Sequence, residues 1–276
     1  MKENYCKKLG LIAGRGEYPV LLAQAARSEG VEKIFAVAFK KETKSVLAKY
    51  VDEIKWFNVG QLSAPIAALK ESGVAQIVMA GQITPTHLFR VRFDKEMLAL
   101  ISKLTARNAH TIFGAICDEL TKTGFDILPA SSFMKVYMPN AGLLTKRIPT
   151  ESEQHDIKLG IQIAETMCQL DIGQTVVLKQ GTILAIEAFE GTNEAIKRGS
   201  RLAGPGIVVV KLAKEGHDMR FDIPVIGTET ISLLKKARAT VLAVEANRTI
   251  LLEREIVIAQ ADKSGISLVV VAKYNE

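Results

Sequence analysis

Four short apolar runs, "LGLIAG" at 9–14, "KIFAVAF" at 33–39, "IKWFNV" at 54–59 and "AQIVMAG" at 75–81, alternate with helix-like stretches over the first 80 residues. No other feature of the sequence constrains the fold as strongly. Apolar runs this short are strands of a buried sheet, and helices between them return the chain so that the strands lie parallel. "PVLLAQAARSEG" and "QLSAPIAALKESG" supply two of the helices, the second closed by Gly73. Residues 94–123 carry the apolar spacing of two more helices, after which "GFDILPA" returns a strand to the sheet.

Turn-forming residues then gather in "YMPNAGLLTKRIPTESEQ" (Pro139, Asn140, Gly142, Pro149), which reads as a linker or a crossing loop. At roughly 100 to 200 residues per domain, a chain of 276 residues suits two domains. The expectation is an α/β protein with an N-terminal Rossmann-like parallel-sheet domain at 1–150 and a C-terminal mixed α/β catalytic domain at 151–276. In the second part "HDIKLGIQIAETMCQL" has helical spacing, and "TVVLKQGTILAIEA" reads as a hairpin about Gln180 and Gly181. "TVLAVEANRTILLE" reads as a second hairpin about Asn247 and Arg248, so a weak internal duplication is conceivable. The helix "REIVIAQADKSG" and the strand "ISLVVVA" follow.

Several function classes are disfavoured by composition. No apolar run approaches the roughly 18 residues of a spanning helix, and "LGLIAG" is cut by Arg15 before it reaches the length of a signal-peptide core. A soluble protein is expected. Cys6, Cys117 and Cys168 are widely spaced and match no zinc pattern, as expected of reduced thiols in a cytoplasm. The formal charge of +6 favours anionic partners. Nucleic acid is not among those expected, because the basic residues are scattered and 6% aromatic content provides no stacking stripe.

Chemistry is suggested at four places. "GLIAGRGEYP" places Gly14, Arg15 and Gly16 between a strand and a helix, in the manner of half a phosphate cradle. A dinucleotide fingerprint would need a third glycine where Pro19 stands, although Lys40 at the end of the second strand would suit an NADP phosphate. "AGQITP" brings Gly81 and Gln82 to the same sheet edge, where open α/β sheets bind ligands. Acidic residues recur in "LDIGQ" (Asp171), "AIEAFEGTNEA" (Glu187, Glu190) and "RFDIPVIG" (Asp222), as hard cations and phosphoryl chemistry require. Any one of them alone is more often a helix cap or a surface charge. Lastly, "AKEGHDMRFDIPVIG" sets Lys214 and Arg220 beside Asp222. Arg220 and Asp222 share a face if the stretch is extended, and there they can form an ion pair or hold phosphate. Thr228 behind them reads as the N-cap of a helix. The four histidines show no catalytic or metal spacing and read as structural or surface residues.

In this order, "GLIAGRGEYP", "AGQI", "LDIGQTVVLKQGTILAIEAFEGT", "AKEGHDMRFDIPVIG" and "ADKSGISLVVVA" resemble the LpxI type of UDP-2,3-diacylglucosamine pyrophosphatase, over nearly the full chain. The resemblance implies a cytoplasmic enzyme of lipid A biosynthesis, peripheral on the inner face of the inner membrane. It would hydrolyse UDP-2,3-diacylglucosamine to 2,3-diacylglucosamine 1-phosphate (lipid X) and UMP. It also implies Mg²⁺, with Mn²⁺ as an alternative, and substrate held in a cleft between two domains with its acyl chains in an apolar groove. The family's essential aspartate corresponds to Asp222, expected as catalytic group and metal ligand. Substrate contacts are expected from Gly14, Arg15 and Gly16, from Gly81 and Gln82, and from Gly173, Gln174 and Thr175 of "LDIGQT". Glu187, Gly191 and Thr192 of "EAFEGT" and Lys214, Arg220 and Thr228 complete the set. The chain departs from the family at "RNAHT" (Arg107 to Thr111), where "GDD" is common, and at Asn193, where an aspartate follows "EGT". A homodimer is left open. Two rival readings remain at this point, an NADP-dependent reductase and a non-catalytic nucleotide- or lipid-binding regulator.

Overall fold

In the computed structural model, residues 7–83, 92–105, 109–213, 218–221 and 223–272 are described, with Ala109 and His110 described in their backbone alone. The chain forms two units. The first comprises Met1–Met134 with Asp218–Asp222, and the second comprises Lys135–His217 with Ile223–Glu276.

The first unit runs β1 (Lys8–Ala13), α1 (Tyr18–Ser28), β2 (Lys33–Phe39), β3 (Glu53–Phe57), α2 (Ser63–Ser72), β4 (Gln76–Ala80), α3 (Lys95–Ser102), α4 (Ala109–Lys122) and β5 (Asp126–Ile127). Its five strands are all parallel, in the order β3-β2-β1-β4-β5. The order reverses between β1 and β4, the position at which ligands enter open sheets of this kind. Phe35, Val37, Leu69, Ile77, Leu120 and Phe125 form a core on one face. The alternation in the sequence is therefore realised strand for strand, including the returning strand at 126–127.

The second unit runs β6 (Gly142–Leu143), α5 (Glu151–Gln169), β7 (Thr175–Lys179), β8 (Thr182–Ile186), α6 (Thr192–Ala203), β9 (Ile207–Lys211), β10 (Val225–Ile226), α7 (Thr228–Lys236), β11 (Ala239–Glu245), β12 (Ile250–Leu251), α8 (Arg254–Lys263) and β13 (Ser267–Val271). Six strands make a mixed sheet in the order β6-β13-β11-β9-β7-β8. Helix α5 covers one face through Ile157, Ile161 and Met167, while residues of α6, α7 and α8 such as Ile196, Ile231, Leu234 and Val257 cover the other. Strands buried on both faces must be apolar throughout, which is why "IVVVK" and "ATVLAVE" show no alternation. The β7–β8 hairpin turns at Gln180 and Gly181, both at positive φ (50° and 75°). Its two turn amides donate to the buried carboxylate of Asp156 on α5 at 2.8 and 2.6 Å.

Two expectations are corrected here. The run about Asn247 and Arg248 is not a hairpin. β11 pairs in parallel with β9 and β13, while β12 leaves that sheet to pair in parallel with β10. β11 is central and buried, so both of its edges are already taken, and a turn signal at Asn247 (φ 56°) ends the strand without returning it. No duplication of the first hairpin results. The stretch expected to be a linker also belongs to the second unit, which begins at Lys135 rather than near 150. Leu143 and Gly142 pair with β13, and Arg147 donates to Ser267 Oγ at 2.9 Å and to Glu153 at 2.8 Å. Helix α5 begins at Glu151, ahead of the expected start, because Thr150 and Glu153 close a reciprocal capping box.

Among the described residues, no helix is long and apolar enough to cross a membrane. The side chains of Cys117 and Cys168 are buried. Burial pushes the Cys117 thiol up to about 12, so it remains protonated and inert near neutral pH.

Candidate active site

Strands β1 and β4 bring the two glycine loops of the first unit side by side. Gly14 N–H donates to Ala80 O at 2.8 Å, Arg15 N–H to Gln82 O at 2.6 Å, and Gln82 N–H to Arg15 O at 3.2 Å. A Cβ on Gly14 would stand 2.6 Å from Gln82 O, and one on Gly81 would stand 2.6 Å from Arg15 O. These glycines let two backbones touch. The amides of Gly14 and Arg15 are thereby spent on the β4 loop, whereas Gly16 (φ 102°) has open space around it. Of the expected cradle, the Gly16 amide and the start of α1 are left for an anion, beside the exposed Arg15 side chain. Lys40 is exposed at the end of β2.

In the second unit a polar cluster is assembled from three neighbouring strands and one helix end. Thr175 opens β7 and lies opposite Lys211, the last residue of β9. Glu187 follows β8, and its amide donates to Thr175 O at 2.9 Å. Lys211, Thr175 and Glu187 therefore stand in a row across β9, β7 and β8, and Thr192, the first residue of α6, closes on them. Lys211 Nζ donates to Thr192 Oγ1 at 3.0 Å, and Thr192 Oγ1 donates to Glu187 Oε1 at 2.9 Å. The Thr175 hydroxyl lies 3.2 Å from that of Thr192. Since the Thr192 proton goes to Glu187, Thr175 is the donor in this pair.

Lys211 and Glu187 are only 8% and 7% exposed, and Glu187 Oε2 and Gln174 Oε1 are buried with no hydrogen-bond partner among the described residues. An unmet buried acceptor costs about 1–3 kcal/mol, so a ligand that satisfies these oxygens is strongly favoured. Helix α6 starts from Gly191 with no side-chain cap, which leaves the partial positive charge of its N-terminus facing outward. The ammonium of Lys211 adds a full charge. Phosphate oxygens suit the cation and the helix end, while a hydroxyl, a water or a hard cation suits the free carboxylate oxygen.

The loops that carry this cluster meet at Gly173, where a Cβ would stand 2.1 Å from Glu187 O and 2.7 Å from its carbonyl carbon. Both obstacles are backbone, so a side chain there must push Glu187 away. We expect Gly173→Ala to lower activity by about tenfold or more and stability by roughly 1–3 kcal/mol. Parallel denaturant melts and rate measurements check this, and an unchanged rate would show that the position of Glu187 is unimportant. Glu190 instead faces Arg198 at 2.5 Å, and Asp171 is exposed at φ 52°.

Around "HDMRFD" the structure corrects the expected extended strand. Residues 219–221 form a turn, with Phe221 N–H donating to Asp218 O at 3.1 Å. Arg220 Nε donates to both Asp218 oxygens at 2.7 and 3.0 Å, and its Nη2 reaches Asp118 at 3.0 Å. The Asp218 hydrogen bond is the main cause that raises the Arg220 pKa above its ordinary value. Arg220, expected to contact phosphate, is engaged here by two carboxylates. Thr228 is the first helical residue of α7, not its cap. Gly227 takes the cap position, and its N–H faces Thr230 Oγ1 at 3.5 Å. Asp222, Lys214 and most of "RNAHT" lie outside the described residues, and Asn193 is exposed on α6.

Sequence reasoning brought Thr175, Glu187, Gly191 and Thr192 into consideration but missed Lys211, Asp118 and Asp218. For Lys211 there was a signal, a lysine that closes an otherwise apolar buried strand. Among the described residues, no three His, Cys, Asp or Glu side chains gather as a metal cluster.

Residues 8–137 match the family model of the LpxI N-terminal domain, and residues 140–269 match that of the LpxI C-terminal domain. The chain is 31% identical to the UDP-2,3-diacylglucosamine pyrophosphatase LpxI of Caulobacter vibrioides, over 94% of this chain and 96% of that protein. Among solved structures it is similar to the biotin carboxylase domain of the Hydrogenobacter thermophilus 2-oxoglutarate carboxylase, at 15% identity and a TM-score of 0.30, over 71% of this chain and 41% of the other. Biotin carboxylase from Campylobacter jejuni is similar at 13% identity, with the same TM-score of 0.30 and the same coverage of 71% and 41%. The two LpxI domain models together account for nearly the whole described chain, and the chain belongs to the LpxI family.

Proposed function

We propose that this protein hydrolyses the pyrophosphate bond of UDP-2,3-diacylglucosamine, giving 2,3-diacylglucosamine 1-phosphate and UMP, as a step of lipid A biosynthesis. The observation that carries the reading, beside family membership, is the buried Lys211–Thr192–Glu187 chain, in which Glu187 Oε2 has no hydrogen-bond partner among the described residues. Water adds to one phosphorus, the bridging P–O bond breaks, and negative charge grows on the phosphoryl oxygens. Lys211 and the N-terminus of α6 stabilise that charge from fixed positions, with no reorganisation at the moment of reaction. Thr192 holds the ammonium and the carboxylate in register, and Glu187 Oε2 accepts a hydrogen bond from the substrate or from water. Large apolar side chains on the adjoining loops, Leu170 at 66%, Ile172 at 45% and Phe189 at 69% exposure, offer acyl chains a surface close to these groups.

Mg²⁺ belongs to the proposal, with Mn²⁺ as the alternative. Glu187 and Gln174 present hard oxygen donors in the second unit, and Asp222 is the expected carboxylate ligand. Mg²⁺ commonly takes only one or two carboxylates and completes its shell with water and substrate phosphates, so a preformed protein cage is not needed. When bound it neutralises charge on the pyrophosphate.

The test measures UMP and lipid X release from UDP-2,3-diacylglucosamine in detergent, with UDP-N-acetylglucosamine in parallel and with each reaction repeated after chelation. Rapid hydrolysis of the diacylated substrate, very slow hydrolysis of the other and recovery on adding Mg²⁺ are expected. Each buried methylene is worth about 0.8 kcal/mol, ample to separate the two substrates. Absence of UMP release from the diacylated substrate with metal present would remove the reading, and equal kcat/KM values would remove the lipid selectivity.

A further inference from the structure

Residues 218–221 are held in the first unit by three independent kinds of contact. The carbonyl of Met219 accepts from Ala130 N–H at 2.6 Å. The ring of Phe221 lies on that of Phe113 of α4, with centroids 5.8 Å apart. The third contact is the Arg220 clamp. Its Asp218 half is local, two residues away, and only shapes the turn. Its Asp118 half is long-range, 102 residues distant, and ties the turn to α4. A solvated surface loop needs none of these. Asp222, the aspartate assigned to the chemistry, is the next residue after Phe221.

We infer that Asp118 is a positioning residue for the hydrolysis: through Arg220 it fixes on α4 the turn that immediately precedes Asp222 in the sequence. The inference rests on the catalytic reading of Asp222 given above. The Asp118 side chain is 62% exposed, and that of Arg220 is 29% exposed. Exposed ion pairs contribute little to global stability. The same pair can still matter greatly for rate, because misplacing a reacting group by about 1 Å can cost on the order of 100-fold. Asp118 is thus expected to have a visible effect on turnover and almost none on folding.

The experiment compares Asp118→Asn, Asp118→Lys and Asp118→Glu in the full-length protein, reading kcat, KM for UDP-2,3-diacylglucosamine and the melting temperature. Asp118→Lys, which sets two cations against each other, should lower kcat by about tenfold or more, and Asp118→Asn by roughly threefold. KM should stay within about threefold throughout, and Asp118→Glu should restore kcat to within about twofold. An unchanged kcat in Asp118→Lys would overturn the inference, as would a loss matched by a lower fraction of folded protein. So would a rise in KM at constant kcat, which would mean that Arg220 binds substrate after all. Asp222→Asn is measured alongside as a control. If that variant keeps full turnover, the catalytic reading of Asp222 fails. If it is inactive while Asp118→Lys is normal, only the positioning role fails.

Discussion

Asp222→Asn is expected to fold normally and to lose turnover by about 100-fold or more, the largest effect of any single substitution proposed for this chain. The exchange removes one negative charge at nearly constant volume. An amide cannot neutralise a divalent cation, nor can it accept a proton from attacking water, so a loss confined to the chemical step is the physical expectation. The neighbouring Arg220 sharpens the test, because its Nε and Nη2 are engaged by Asp218 and Asp118. Melting curves and UMP release measured on the same preparation decide the matter. A near-native rate would take Asp222 out of the mechanism.

The second large effect is expected at Lys211. Lys211→Met keeps the apolar stem that packs at the end of β9 and removes only the ammonium, so the fold should tolerate it. Loss of one buried, preorganised cation facing a phosphoryl group corresponds to roughly 100-fold in kcat/KM. Lys211→Arg should restore little of this, because Nζ reaches Thr192 Oγ1 at 3.0 Å in a site only 8% exposed, and a planar guanidinium needs a wider space. Steady-state kinetics with thermal melts checks both variants. Full activity of Lys211→Met would show that the charge of the cluster serves only the fold.

Much of this protein is legible in its local chemistry. Apolar runs of strand length separated by helical spacing determine a parallel sheet by themselves, because both periodicities report which side of each element meets water. The Gln180–Gly181 turn is equally readable, since positive φ at both positions suits few residues. Thr175, Glu187 and Thr192 come into view because "LDIGQT" and "EAFEGT" resemble the LpxI family.

What the sequence alone leaves undecided depends on partners far along the chain. "ANRT" carries the same turn chemistry as "KQGT", yet the second run pairs elsewhere, because β9 and β13 already occupy both edges of β11. Residues 135–150 look like a linker until Leu143 and Arg147 find β13, more than 100 residues later. Lys211 acquires its meaning only when the strand order β9-β7-β8 sets it opposite Thr175 and within reach of Thr192. That Arg220 meets Asp118 of α4, 102 residues away, is decided only by the fold. Periodicity and turn chemistry extend over only a few residues, whereas the pairing of strands and of charges is settled by which surfaces the folded chain brings within a few ångströms. For that reason the sequence determined the elements and the family, and the tertiary structure alone decided which polar groups meet.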